Sequence, residues 1–159
     1  MYNHFIFLTI CRHLVKNGDN LENQITDLTN LPEPCGKIIQ QLSKFSLEAM
    51  NNNQLIFTLD DIKKACPDIA AIPGAINGFG LLQAVQHFGL YAKTMTLNFI
   101  HFTIQEFLAA HYIAHLPPNE ELKVIKANFW SDIHFNMFSI YISLTKGQRA
   151  AFKTFLSGG

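Results

Sequence analysis

The chain of 159 residues carries seven histidines and three cysteines, and their spacing decides which chemistries are open to it. His111 and His115 stand one helical turn apart, so a helix through them presents both imidazoles on one face. A zinc protease needs His-Glu-x-x-His, with the glutamate as general base next to the first ligand, and Tyr112 occupies that position. Cys11 and His13 could pair as nucleophile and base only if near neighbours on a helix faced each other, which helical geometry prevents. Cys11, Cys35 and Cys66 are odd in number and lack CxxC spacing, so neither a disulfide framework nor a zinc site is expected. A reducing, cytoplasmic compartment is the default that follows. Gly36-Lys37 comes nearest to a phosphate cradle, but such a loop needs GxxxxGK[ST] opening a helix after a strand, and Ile38 follows inside a helical pattern. Asp60-Asp61 trails a short apolar run yet sits at a helix start, so a Walker B strand is not expected there. Neither half of a nucleotide-hydrolysing site is present, and the chain is not expected to be an enzyme.

The elements that position these residues must draw on an unusually apolar composition. Hydrophobic residues make up 48% and charged residues 15%, which supports a packed core and argues against a disordered tail. Fourteen phenylalanines suggest more than one packed surface, part of it meant for neighbours. Twelve basic residues balance twelve acidic ones, so the basic excess that phosphate binding favours is missing. The opening MYNHFIFLTICRHL lacks a basic region ahead of its apolar run, and Arg12 and His13 interrupt that run, so no signal peptide is expected. No stretch reaches the ~18 apolar residues of a membrane span.

Residues 2–16 read as one helix ending near Asn17-Gly18-Asp19. Leu31-Pro32-Glu33-Pro34 starts the next, because proline is tolerated in a first helical turn. Ile38, Leu42, Phe45 and Ala49 then recur at helical spacing until Asn51-Asn52-Asn53. Gln54–Thr58 is β-prone. Thr58 and Asp61 fit an N-terminal capping pair for a short helix, Leu59 to Cys66, that stops at Pro67. An irregular loop runs to Gly80. Leu81, Leu82, Val85 and Phe88 suggest another short helix closed by Gly89, and Tyr91 to Phe102 reads as a strand pair or one long strand. Thr103-x-x-Glu106 matches a capping box for a helix from Thr103 to His115. Asn119 is expected to cap a helix to Asn128, with Glu120 and Glu121 favoured by the dipole of its first turn. Two further helical stretches, 131–144 and 145–156, complete the chain. The order between Leu31 and Leu116 is that of a winged helix-turn-helix. The expected fold is mainly α with a small β-wing, flanked by helical segments.

One string stands out: NFIHFTIQEFLAAHYIAHL, Asn98 to Leu116. It resembles the end of the winged-helix domain in NACHT-type NLR proteins, members of the STAND class of P-loop ATPases. In that family a strand ending aromatic-x-His leads into a helix carrying Gln-Glu-aromatic-x-Ala-Ala. The matching residues are Phe99, His101, Thr103, Gln105, Glu106, Phe107, Ala109 and Ala110. YNHFIFLTICRHL is similar to the last helix of the helical domain that precedes the winged helix, LIFTLDDIKKACP and GLLQAV to its intervening elements, and FWSDIHFNMFSIYISLTKGQ to the superhelical segment that follows. The resemblance thus spans nearly the whole chain and implies three parts: residues 1–30, 31–116 and 117–159.

What the resemblance implies is a regulatory, autoinhibitory segment of an innate immune signalling ATPase, without its catalytic P-loop half. His101 would donate to a phosphate of ADP held by the nucleotide-binding (NACHT) domain, a charge-assisted bond worth ~1.5–3 kcal/mol. ADP or ATP would serve only in that context and not as a cofactor of this chain alone. Its partners would be the NACHT domain and the leucine-rich repeats or other sensor of the same protein, with oligomerisation on activation. The plainer reading of His101 is a histidine packed at a strand end, and that of Gln105 and Glu106 is helix capping. The competing function is a stand-alone DNA-binding regulator, since winged helices often enter the major groove. The candidate helix at Leu59–Pro67 carries Lys63 and Lys64 but also Asp60 and Asp61, with Asp68 following, a poor surface for phosphate.

Overall fold

The structure, a computed structural model, describes residues 28, 31, 33, 35–71 and 80–158. The expected helix over residues 2–16 lies outside the described residues, as do Cys11 and His13. Among the described residues the fold is mainly helical with one two-stranded antiparallel sheet. Helix α1 spans Cys35–Asn51. The stripe that forecast it is the stripe it buries: Ile38, Ile39, Leu42, Phe45 and Ala49 all face the core. Its C-terminal turn ends at Asn53, whose φ of 51° is left-handed, a conformation that asparagine tolerates better than most residues.

Helix α2, Leu59–Ala65, begins as the sequence suggested. The Thr58 hydroxyl accepts from the Asp61 amide at 3.1 Å, and the Thr58 amide donates to the Asp61 carboxylate at 2.8 Å. Both orphan donors of the first turn are thereby satisfied. The β-prone run before it makes only one bridge, Phe57 with Leu97. A 3-10 turn, Pro67–Ala71, follows α2.

Leu82–Phe88 forms strand β1, not the expected helix. It pairs with β2, Lys93–Phe99, from Leu82↔Phe99 to Phe88↔Lys93. The spacing of Leu82, Val85 and Phe88 suits a helix, but pairing with the β-branched and aromatic run of β2 overrides that local preference. At the hairpin end the Gly89 amide donates to the Ala92 carbonyl at 3.0 Å. Of the sheet only Leu82, Leu97 and Phe99 are buried, at its base, and Phe57 ties it to α1: its ring lies 4.8 Å from Phe45 and 5.9 Å from Phe99, edge-on to both.

Helix α3, Phe102–Ala114, is buried without a break from Ile104 to Ala110. Such a helix has no solvent face and must be packed from several sides. It packs against α1 and against α5, Phe135–Thr145. Ile104, Phe107 and Leu108 join the apolar cluster of α1, α2 and the sheet, whereas Ala109, Ala110 and Ile113 join a second cluster built with the C-terminal helices. Those are α4, Pro118–Asn128, together with α5 and α6, Ala150–Leu156. Pro117, not Asn119, is the N-cap of α4, and Pro118 takes the first helical position, where its fixed φ and missing amide are harmless. Between α5 and α6 the chain turns at Lys146 and Gly147, both left-handed, with φ of 51° and 64°.

Candidate functional site

The strand-to-helix junction holds the matching residues from Phe99 to Ala110, and it divides them. His101 is the N-cap of α3, with extended backbone at φ −142° and ψ 139°. Its carbonyl accepts from the Ile104 amide at 3.0 Å, while the neighbouring Ile100 amide donates to the Leu81 carbonyl at 2.9 Å. Main-chain bonds thus fix the residue on both sides. The side chain is exposed and makes no capping bond to the helix. The imidazole is therefore an exposed group on a hydrogen-bonded backbone, not a histidine packed into the strand end.

The other motif residues point inward. Phe99 is buried on β2 and Phe107 on α3. Thr103 and Glu106 do not form a capping box. With His101 at the cap, Thr103 sits two residues too late for its hydroxyl to act as the cap acceptor, and Glu106 lies within the buried stretch of α3. A Thr-x-x-Glu match cannot distinguish these registers; the backbone at residue 101 does. Gln105 is buried, and its amide donates to the Gln54 carbonyl at 3.3 Å, joining α3 to the loop after α1. Glu106 is buried, which pushes its carboxyl pKa up, with a hydrogen bond from Asn136 pulling the other way. The Gln-Glu-aromatic-x-Ala-Ala run therefore serves packing and internal polar satisfaction.

His111 and His115 share a face of α3 as their spacing requires. Their ring centroids are 4.3 Å apart, and His111 stacks on Phe107 at 6.1 Å. The His115 Nδ1–H donates to the His111 carbonyl at 2.7 Å. Among the described residues no group of three or more His, Cys, Asp or Glu side chains could hold a metal ion. Cys66 is buried beside the negative charge of Asp68, and burial above all pushes its thiol pKa up to about 12, the opposite of a nucleophile's environment.

On α2, Asp60 and Asp61 occupy the first turn and Lys63 and Lys64 the last, the arrangement that the helix dipole favours. The cleft between α2 and α1 mixes signs, with Lys44 and Lys64 beside Glu48 and Asp61. Asp68 holds Lys37 at 3.0 Å and accepts from Gln41 at 2.8 Å, bonds that keep its carboxyl below the usual range. None of this makes a continuous positive face for nucleic acid.

A polar centre that sequence reasoning missed ties the C-terminal helices together. Glu121 on α4 is wholly buried. It accepts from the Arg149 Nε at 3.0 and 3.2 Å, from its Nη2 at 3.0 Å, and from the Tyr141 hydroxyl at 2.7 Å. Arg149 Nη2 also donates to the Leu116 carbonyl at 2.9 Å. Burial and the Glu121 carboxylate push the Tyr141 hydroxyl pKa up, and the same carboxylate raises that of Arg149. The sequence signal was available only in part: Glu121 was noticed as a first-turn acid, but its partner lies 28 positions away. The network is structural, since a wholly buried carboxylate needs a cation and satisfied lone pairs.

No helix among the described residues is long and apolar enough to cross a membrane. Compared with known protein families and with curated proteins, the chain matches none.

Proposed function

We propose that this chain is the nucleotide-sensing regulatory segment of a NACHT-type NLR ATPase, a winged helix with its helical flanks, in which His101 is the residue that reads the nucleotide. In this reading β1 and β2 form the wing, and Phe57, paired with Leu97, stands for the strand that a winged helix places between its first two helices. The Ile104–Ala110 core of α3 joins the winged helix to the superhelical segment represented by α4, α5 and α6. The partners are the nucleotide-binding domain and the sensor region of the same cytoplasmic protein, which oligomerises on activation.

The observation that carries the reading is the outward imidazole of His101 on a backbone fixed from both sides. A donor aimed at an anion is effective when its position costs no reorganisation on binding. An exposed imidazole fits a phosphate partner chemically, because one ring N–H can donate to a phosphate oxygen. Since that bond exists only in the closed, ADP-holding state, its loss shifts the closed–open balance toward the open form.

The test uses the longer protein that this reading requires. Replacing His101 with leucine should speed ADP release roughly 10- to 150-fold, the equivalent of ~1.5–3 kcal/mol, and raise basal oligomerisation. Because His101 is exposed, the melting temperature should hardly change. Unchanged ADP release together with a lowered melting temperature would return His101 to a structural role. The present 159 residues alone should show no measurable affinity for ADP or ATP, since one histidine cannot replace a Walker A cradle.

A further inference from the structure

We propose that the aromatic bowl at the start of α5 is a binding site for a small quaternary ammonium compound of the choline class. A cavity of about 230 Å³ opens there, walled by Phe129, Trp130, Phe135 and Phe138. Phe129 and Trp130 meet edge to face, with ring centroids 5.0 Å apart and planes at 88°, and Phe129 is backed by Phe155 at 4.9 Å and Phe152 at 6.0 Å. Phe138 is buried and lies 5.2 Å from Phe129. Trp130 and Phe135 are 82% and 69% exposed, and burial of such faces needs an occupant or a cover. Asp132 is the one charged side chain lining the cavity.

The chemistry of the lining selects among occupants. Aromatic faces carry negative quadrupole charge and attract a cation within ~6 Å, more strongly when it is poorly hydrated. A methylated ammonium loses little hydration on entering and still carries a full positive charge. A neutral apolar group would satisfy the rings but gain no attraction from the Asp132 carboxylate at the rim; an anion would meet repulsion from both. Every lining residue falls within positions 129–142. The site is thus a bowl within one local turn-and-helix unit.

The chain has a single tryptophan, and it forms a wall of the bowl, so its fluorescence reports occupancy directly. Choline chloride should change Trp130 emission in the full chain saturably, against a sodium chloride control. The neutral isostere 3,3-dimethylbutan-1-ol should bind roughly 3- to 30-fold more weakly, the range that cation–π attraction and one carboxylate support. Asp132→Asn, at an exposed position, should weaken choline without altering the far-ultraviolet dichroism. Trp130→Ala, followed by calorimetry, should abolish the heat of binding. Equal binding of the isostere, or no saturable response, would overturn the proposal. So would tighter capture by phosphatidylcholine vesicles or by a trimethyllysine peptide, which would make the bowl a docking surface. A ligand-free emission shift that depends on protein concentration would assign the face to a second copy of the chain and equally defeat the proposal.

Discussion

Replacing Arg149 with methionine tests the account of the buried carboxylate most severely. Methionine keeps much of the length of the side chain and removes its charge and donors. Glu121, whose side chain is 1% exposed, would lose every guanidinium bond and keep only the Tyr141 hydroxyl at 2.7 Å. The Leu116 carbonyl would lose its donor as well. Removing one partner of a fully buried pair costs about 3–5 kcal/mol. Because the Arg149 side chain is itself 36% exposed, water can enter the vacated space, and about 2–3 kcal/mol is the better expectation. For a chain of this length that corresponds to a melting temperature lowered by roughly 5–10 °C. Urea unfolding followed by circular dichroism at pH 7 measures the loss. Adding Glu121→Gln to the variant should recover most of it, because the neutral amide no longer leaves a buried charge unpaired. A single variant within ~0.5 kcal/mol of wild type at pH 7 would sink the reasoning.

Two other expectations follow from buried titratable groups. The His134 Nε2–H donates to the Asn51 Oδ1 at 2.9 Å, and burial holds its imidazole pKa below the ordinary value of 6.5. Its neutral form is the one that folding favours, so its contribution is complete above about pH 6.5 and is lost as pH falls through the lowered folded value. His134→Gln should flatten that acid-side slope between pH 6.5 and 5, and identical slopes would count against it. Cys66, pushed to about 12, should resist iodoacetamide at pH 8 in the native chain and react promptly in urea; equal rates would show that the thiol is not buried.

How much of this was legible beforehand depended on whether a residue's role is set by its neighbours in sequence. Helix α1 was readable because its apolar stripe repeats at helical spacing, and α2 because Thr58 and Asp61 satisfy each other locally. Strand β1 was not, because Leu82, Val85 and Phe88 fit a helical face equally well and only cross-strand pairing with β2 decides between them. Thr103 and Glu106 misled for a related reason: the capping pattern is correct in spacing, but the helix begins at Phe102, so the match falls in the wrong register. His101 could be singled out from its motif, while its exposure, and the bond that the neighbouring Ile100 amide makes to the distant Leu81 carbonyl, are announced by no local pattern. The Glu121–Arg149–Tyr141 centre and the bowl beside Trp130 depend on three-dimensional proximity and left almost no trace in the sequence.

The unbroken burial of α3 also restricts how this chain can change length. Both apolar clusters grip the same helix, one through Ile104, Phe107 and Leu108, the other through Ala109, Ala110 and Ile113. Each residue of an α-helix advances the azimuth by about 100°. A one-residue insertion or deletion inside the helix would therefore swing every later side chain away from the neighbour it fits, with no solvent-facing side to absorb the error. Insertions can be accommodated at the hairpin tip around Leu90 and Tyr91, or at the turn through Lys146 and Gly147, but not between His101 and His115. A change of length there would thus be felt by both clusters at once.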